Sequence, residues 1–111
     1  MGEGGVMPVD YCIWDAPTLG LNSGSAIENI NCITSDGAGR WITGHNSGYA
    51  AISINNCLTW SGLPRGLNSG ANEDILDIAT DENGTWIAIM RDGYAVRSLD
   101  DGDTWSALTR G

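Results

Sequence analysis

The sequence predicts an all-β chain: two copies of a four-stranded antiparallel unit, with one extra N-terminal strand ahead of them. Three observations carry that reading. First, the 111 residues include sixteen glycines and few helix-forming runs, a composition that favours turn-rich sheet. Second, four short stretches recur in the same order. Leu21-Asn22-Ser23-Gly24 returns as Leu67-Asn68-Ser69-Gly70, and Trp41-Ile42 as Trp86-Ile87. Gly48-Tyr49-Ala50 returns as Gly93-Tyr94-Ala95, and Thr59-Trp60-Ser61 as Thr104-Trp105-Ser106. Third, residues 98–105 spell S-x-D-x-G-x-T-W, an acidic turn between two strand-like runs. The Asp side chain can accept hydrogen bonds from backbone N–H groups ahead of it, and Gly102 can take the positive φ of a tight turn. Thr104 can tie down the far side, and Trp105 offers a large apolar body to bury.

Taken in order, residues 1–10 read as a flexible leader that opens Met1-Gly2-Glu3-Gly4-Gly5. Residues 11–20 take the register of an outer strand, because Trp14 precedes Gly20-Leu21-Asn22 as Trp60 precedes Gly66-Leu67-Asn68. Residues 21–66 are the first copy, with strands expected over 29–34, 40–43, 49–53 and 59–63. Residues 67–111 are the second, with strands over 75–80, 85–90, 94–98 and 104–108. The copies are offset by 46 residues at their start and 45 further on, and a one-residue insertion is placed in the 36–39 turn, where it does least harm. Residues 86–90, Trp-Ile-Ala-Ile-Met, are apolar on both faces, which suits a sheet packed between two neighbours. The first copy has a degenerate turn, with Ser53, Thr59 and Trp60 kept, Asn55 in place of Asp, and Cys57 in place of Gly. Asn55 can still close an Asx-type turn, with weaker hydrogen bonds, and Cys57 is then set on an exposed loop.

The complete turn, Ser98, Asp100, Gly102, Thr104 and Trp105, closely resembles the Asp-box of the bacterial neuraminidase repeat, and Ser53, Asn55, Thr59 and Trp60 are its weaker counterpart. In that family the motif marks the turn between the third and fourth strands of a β-propeller blade, and its role is structural. The resemblance therefore implies two propeller blades with residues 11–20 as an orphan outer strand. Two blades cannot close a propeller, which takes about four to eight. A lone pair would also expose broad apolar faces. The chain is thus expected to be its own partner in a closed ring, a six-bladed homotrimer being preferred, or else to be a piece of a longer protein. Sialidase chemistry does not carry over. Arg40, Arg65, Arg91, Arg97 and Arg110 stand at repeat-related or turn positions, and Tyr49 and Tyr94 are repeat equivalents that fit blade packing.

Charge narrows the remaining functions. The net charge of −9, with no lysine, argues against nucleic acid and anionic membrane as partners. No run is apolar and long enough to span a bilayer, and the start does not resemble a signal peptide. Cys12, Cys32 and Cys57 lack metal-ligand spacing and read as free thiols, which favours a reducing cytoplasm or a virion over secretion. Glu73/Asp74 and Asp100/Asp101 are adjacent in loops and read as solvated turn residues rather than a hydrolytic pair. Asp100, Asp101 and Asp103 lack the remaining ligands of a calcium loop. No catalytic residue, metal or cofactor is therefore expected. Binding is the more credible activity, through loops opposite the acidic turns: Asn22, Ser23, His45, Asn46, Asn68, Ser69, Asn72, Arg91 and Asp92. Their short hydrogen-bonding side chains suit a glycan or a peptide, although Asn-Ser-Gly is also simply a good turn. His45 aligns with Met90 and fits a strand-end core position as well. The expected function is a non-enzymatic, multivalent glycan- or peptide-binding module. The alternative is a structural or assembly scaffold such as a virion-associated protein, and a sialidase-like fragment ranks last.

Overall fold

A computed structural model describes residues 19–22 and 28–111. Residues 1–18 and 23–27 lie outside that description, and with them the expected leader, most of the orphan strand, and Ser23. The described chain forms two four-stranded antiparallel sheets, each with its strands in sequence order. The first holds β1 (Ile30–Ser35), β2 (Trp41–His45), β3 (Ala50–Ser53) and β4 (Ser61–Gly62). The second holds β5 (Ile75–Thr80), β6 (Trp86–Met90), β7 (Ala95–Ser98) and β8 (Ser106–Ala107). The helical pieces among the described residues are short 3-10 turns, none long and apolar enough to cross a membrane.

Each turn is dictated by local chemistry. Between β1 and β2, Asp36 Oδ1 accepts the N–H groups of Ala38 (2.8 Å) and Arg40 (3.2 Å). Between β5 and β6, Asp81 repeats this with Asn83 (2.8 Å) and Thr85 (3.0 Å), the Asx-turn geometry that makes Asp a turn former. The next turns, Asn46–Gly48 and Arg91–Gly93, run through Ser47 and Asp92 at φ 60° and 66°, followed by glycines at φ 81°.

The register corrects two sequence expectations. Ile30 pairs with His45 as Ile75 pairs with Met90, so the offset is already 45 at β1. The extra residue therefore lies between Asn22 and Ile30, not in the 36–39 turn, which is as long as its counterpart. The outer strands are also shorter than expected, two residues each. The N–H of Thr59 or Thr104 is turned back to Asn55 or Asp100, and so is withdrawn from the ladder. Only Ala51↔Gly62 and Ile52↔Ser61, and their equivalents Val96↔Ala107 and Arg97↔Ser106, remain as bridges.

The core lies between the sheets. Cross-strand partners share a face, so the registers divide each sheet in two. Ile42, Gly44, Ala50 and Ile52 of the first sheet face Ile75, Ile78, Trp86, Ala88, Met90 and Val96 of the second. Most of these side chains are fully buried. Polar links span the same seam: Asn31 Nδ2 donates to Ile75 O (3.0 Å) and Thr34 Oγ1 to Ile78 O (2.7 Å). At one end Arg40 reaches Asp101 (3.4 Å) and Asp103 (3.0 Å). The far face of the second sheet is uncovered, with Ile87 40 % and Ile89 48 % exposed. The expectation that residues 86–90 pack on both sides is thus met on one face within this chain.

Candidate functional site

Strand direction puts the acidic turns at one end of the sheets and the loops expected to bind at the other. At the acidic end, Ser98 Oγ accepts the N–H groups of Asp100 (3.3 Å) and Gly102 (2.8 Å) and donates to Asp100 Oδ1 (2.8 Å). Asp100 accepts both the N–H (2.8 Å) and the hydroxyl of Thr104, and Trp105 Nε1 donates to Gly102 O (2.9 Å). The Thr104 hydroxyl, then the Thr104 N–H and the Ser98 hydroxyl, draw the Asp100 carboxyl down to about 2. Asn55 does the same work in the first sheet. Its Oδ1 accepts the N–H of Thr59 (2.9 Å), its Nδ2 donates to the Thr59 hydroxyl (2.7 Å), and Ser53 Oγ accepts the N–H of Cys57 (2.9 Å). Trp60 is half-buried where Trp105 is buried. Cys57 is exposed, and burial of its sulfur pushes the thiol pKa up, away from the reactive thiolate.

The opposite end is organised by a residue absent from the sequence-based candidates. Asp74 Oδ1 accepts the N–H of Ser47 (2.7 Å), from the first sheet, while Oδ2 accepts Arg91 Nε (3.1 Å) and Nη2 (3.0 Å), from the second. The Ser47 N–H, and behind it the Arg91 guanidinium, hold the Asp74 carboxyl below the usual carboxylate range. Asn46 stands beside this node, its Oδ1 accepting from Asn31 Nδ2 (2.9 Å). The Asn72 backbone packs so closely on Gly48 that a β-carbon there would sit 3.2 Å from its Cα. Asn46, Asn72 and Arg91 are therefore brought together around Asp74, with Asp92 one residue further along its turn.

The other candidates hold the fold. Asn22 Nδ2 donates to Trp60 O (3.0 Å) and Asn68 Nδ2 to Trp105 O (3.3 Å), so both tie a connector to an outer strand. Ser69 Oγ bonds within its own turn, to Ala71. His45 is fully enclosed, its Nε2 2.8 Å from the Thr43 hydroxyl, and Nδ1 has no partner among the described residues. Burial lowers the His45 pKa, against an opposing pull from Glu28. Two repeated clamps complete this end. Arg65 Nε donates to Ser47 O (2.7 Å) with its guanidinium 4.6 Å over the Tyr49 ring. Arg110 does the same to Asp92 O (2.7 Å) and Tyr94 (4.6 Å). The sequence showed repeat-related arginines and equivalent tyrosines but not that they pair, and it did not show the Asp74 node.

Asp74, Asp100 and Asp101 are occupied by structural bonds, and among the described residues no cluster of three or more His, Cys, Asp or Glu side chains could hold a metal ion. No catalytic constellation is assembled from the described side chains.

No family model and no curated protein matches this chain. Nine solved chains do. One is YCF48 from Cyanidioschyzon merolae, with TM-score 0.63 and 16 % identity, over 76 % of this chain and 24 % of that one. Another is YCF48 bound to D1 peptide, with TM-score 0.59 and 18 % identity, over 74 % and 26 % respectively. The two sheets are β-propeller blades. The chain spans about a quarter of the length of the YCF48 structures it matches. These findings correct the neuraminidase-repeat assignment, since the structural likeness goes to YCF48 and no repeat-family model matches. The S-x-D-x-G-x-T-W turn is a local hydrogen-bonding solution that a blade can use, not a mark of that family. Carbohydrate binding, expected from the short hydrogen-bonding side chains of the loops, is corrected as well, because the ligand named in a matched structure is a peptide.

Proposed function

We propose that this chain is a non-enzymatic scaffold: a pair of propeller blades whose Asp74 end holds a peptide segment of a partner protein within a larger assembly. The observation that carries this reading is the convergence of both blades' turns on Asp74. It fixes Asn46, Asn72 and Arg91 at one end without committing Arg91, whose side chain is 56 % exposed, to the interior. Short amide side chains and a guanidinium can pair with the carbonyls and N–H groups of an extended peptide. The likeness to a YCF48 structure that contains a peptide supports the choice of ligand class. Completion of the ring by further blades belongs to the same reading, since two blades leave the far face of the second open.

The test is fluorescence anisotropy with a labelled D1 peptide and a scrambled control. Saturable binding that is weakened about tenfold, or roughly 1.4 kcal/mol, by Arg91→Ala is the expected result. Equal binding of both peptides, or binding indifferent to Arg91→Ala and Asn46→Ala, overturns it.

A further inference from the structure

The two sheets have four broad faces, and among the described residues three of them are closed. Two pack on each other at the seam. The outer face of blade 1 is buried as well, with Thr43, His45 and Ala51 at 0 % exposure and Ser53 at 1 %. A head-to-tail ring of copies, such as the homotrimer expected from the sequence, needs that face free to receive the next chain. Only the far face of blade 2 is open, so a second copy of this chain can meet it with one broad surface: the same one.

Strand register lays that surface out in two rows, because cross-strand partners share a face. Asp77, Ile89 and Ala95 form one row, and Ala79, Ile87 and Arg97 the other. The two charges therefore stand at diagonally opposite corners, both exposed, with Ile87 and Ile89 between them. Neither charge has a counterpart at the seam, where blade 1 carries Cys32 and Ile52 at these positions. Such a pattern is its own complement. A two-fold axis between two copies, set across the diagonal, seats each Asp77 against the partner's Arg97 and the isoleucines against one another. The same operation carries Leu76, the bulge residue beside Asp77 and 42 % exposed, toward the open depression of about 240 Å³ that Arg97 shares with Leu99, Thr104 and Ser106. Asp77 Oδ1 accepts the N–H of Ile78 (2.9 Å), which holds the carboxylate at the bulge while Oδ2 has no partner among the described residues. The strands of the two copies then cross closer to a right angle than to parallel, one of the two ways in which sheets pack face to face.

We propose that this chain on its own is a two-fold dimer joined through the far faces of its second blades, with Asp77 and Arg97 as the reciprocal charge pair that fixes the register. Burial of Ile87, Ile89 and Leu76 supplies the affinity, and the two charge pairs choose the orientation. A closed two-fold pair needs only one self-complementary patch, and it is the commonest form of soluble oligomer. A further blade takes the same face and so competes with the dimer. Peptide binding at Asp74 lies at the end of the sheets and plays no part in it.

Light scattering behind a sizing column tests it on the full chain, at concentrations up to about 100 μM. The wild type is expected at twice the chain mass of 11.7 kDa. Arg97→Asp and Asp77→Arg, each alone, set like charges against each other twice. Each is expected to raise the dissociation constant about a hundredfold or more and to leave monomers. An equimolar mixture of the two variants is expected to return to the dimer, because every facing pair is then opposite in charge. Should either reversal lose its cooperative melt, Arg97→Gln and Asp77→Asn take its place, each expected to weaken the dimer about tenfold. A wild type at any mass other than two chains overturns the proposal. So do a dimer indifferent to these substitutions and a pair of folded charge reversals that stay monomeric when mixed.

Discussion

At the residue scale, the two acidic turns are a natural substitution experiment. Asn55 accepts the Thr59 N–H as Asp100 accepts that of Thr104, but it donates to the Thr59 hydroxyl where Asp100 accepts from the Thr104 hydroxyl, and it lacks the charge that strengthens these bonds. Asp100→Asn is therefore expected to melt slightly below the wild type at neutral pH, and Asp100→Ala further below, because alanine leaves the Thr104 N–H and hydroxyl without their acceptor. Acid separates the variants. The folded carboxyl titrates at about 2 against an ordinary 3.8, so its contribution is complete above 3.8 and is lost as the pH falls from there toward 2. The wild-type midpoint should drop through that window, while Asp100→Asn, which has no proton to take up there, should drop less. Calorimetry across the acid range reads both. His45 acts in a separate window. Its folded pKa is lowered, so stability is lost as the pH falls below 6.5, and His45→Met, the residue blade 2 uses, should flatten that part of the profile. The acidic turn was legible because all its partners lie within four residues. Asp74 was not, since its partners Ser47 and Arg91 are 27 and 17 residues away.

At the element scale, the eight strands follow from the repeat and from turn residues, but their lengths follow from competition for backbone donors. No sequence pattern announced that Thr59 and Thr104 would turn their N–H groups to the turn rather than to the neighbouring strand. The place of the one-residue insertion was also obscured, because it becomes visible only when Ile30 and Ile75 are seen in the same register. Glycines at the seam show how equivalent strand positions diverge. Gly44→Ala adds a methyl where Ile75 and Cys32 already crowd, the sulfur at 2.8 Å, and is expected to cost about 1–3 kcal/mol by overpacking. Ile89→Ala, at the same register in blade 2, trims a half-exposed side chain and should cost less than Gly44→Ala. Urea unfolding of the two variants side by side makes the comparison. Equal losses would mean that the seam has slack at Gly44 and that blade position, not packing, governs both.

At the scale of the whole molecule, the sequence foretold two blades because it repeats, yet the repeat alone cannot say how one blade meets the next. That depends on which residues differ between the copies. The seam has one core, with Ile42 and Ala50 from blade 1 and Ile75, Ile78, Trp86, Ala88 and Val96 from blade 2. Neither sheet has a second apolar layer of its own within that cluster, so the two are expected to fold and unfold as one unit. Among the described residues Trp86 is the largest fully buried side chain, and its indole also ties the acidic turn through Asp101 Oδ1 (3.0 Å). Truncating a buried tryptophan to alanine typically costs about 3–5 kcal/mol. That is a large share of the roughly 5–15 kcal/mol available to a domain. If the seam is a single cooperative core, Trp86→Ala must loosen blade 1 as much as blade 2, although it removes no atom from blade 1. Amide exchange of β2 and β3 should then accelerate in parallel with β6 and β7. Protection that survives in β2 and β3 while β6 and β7 exchange freely would show the blades to be independent, with the seam a contact between two folded sheets rather than the core that folds them.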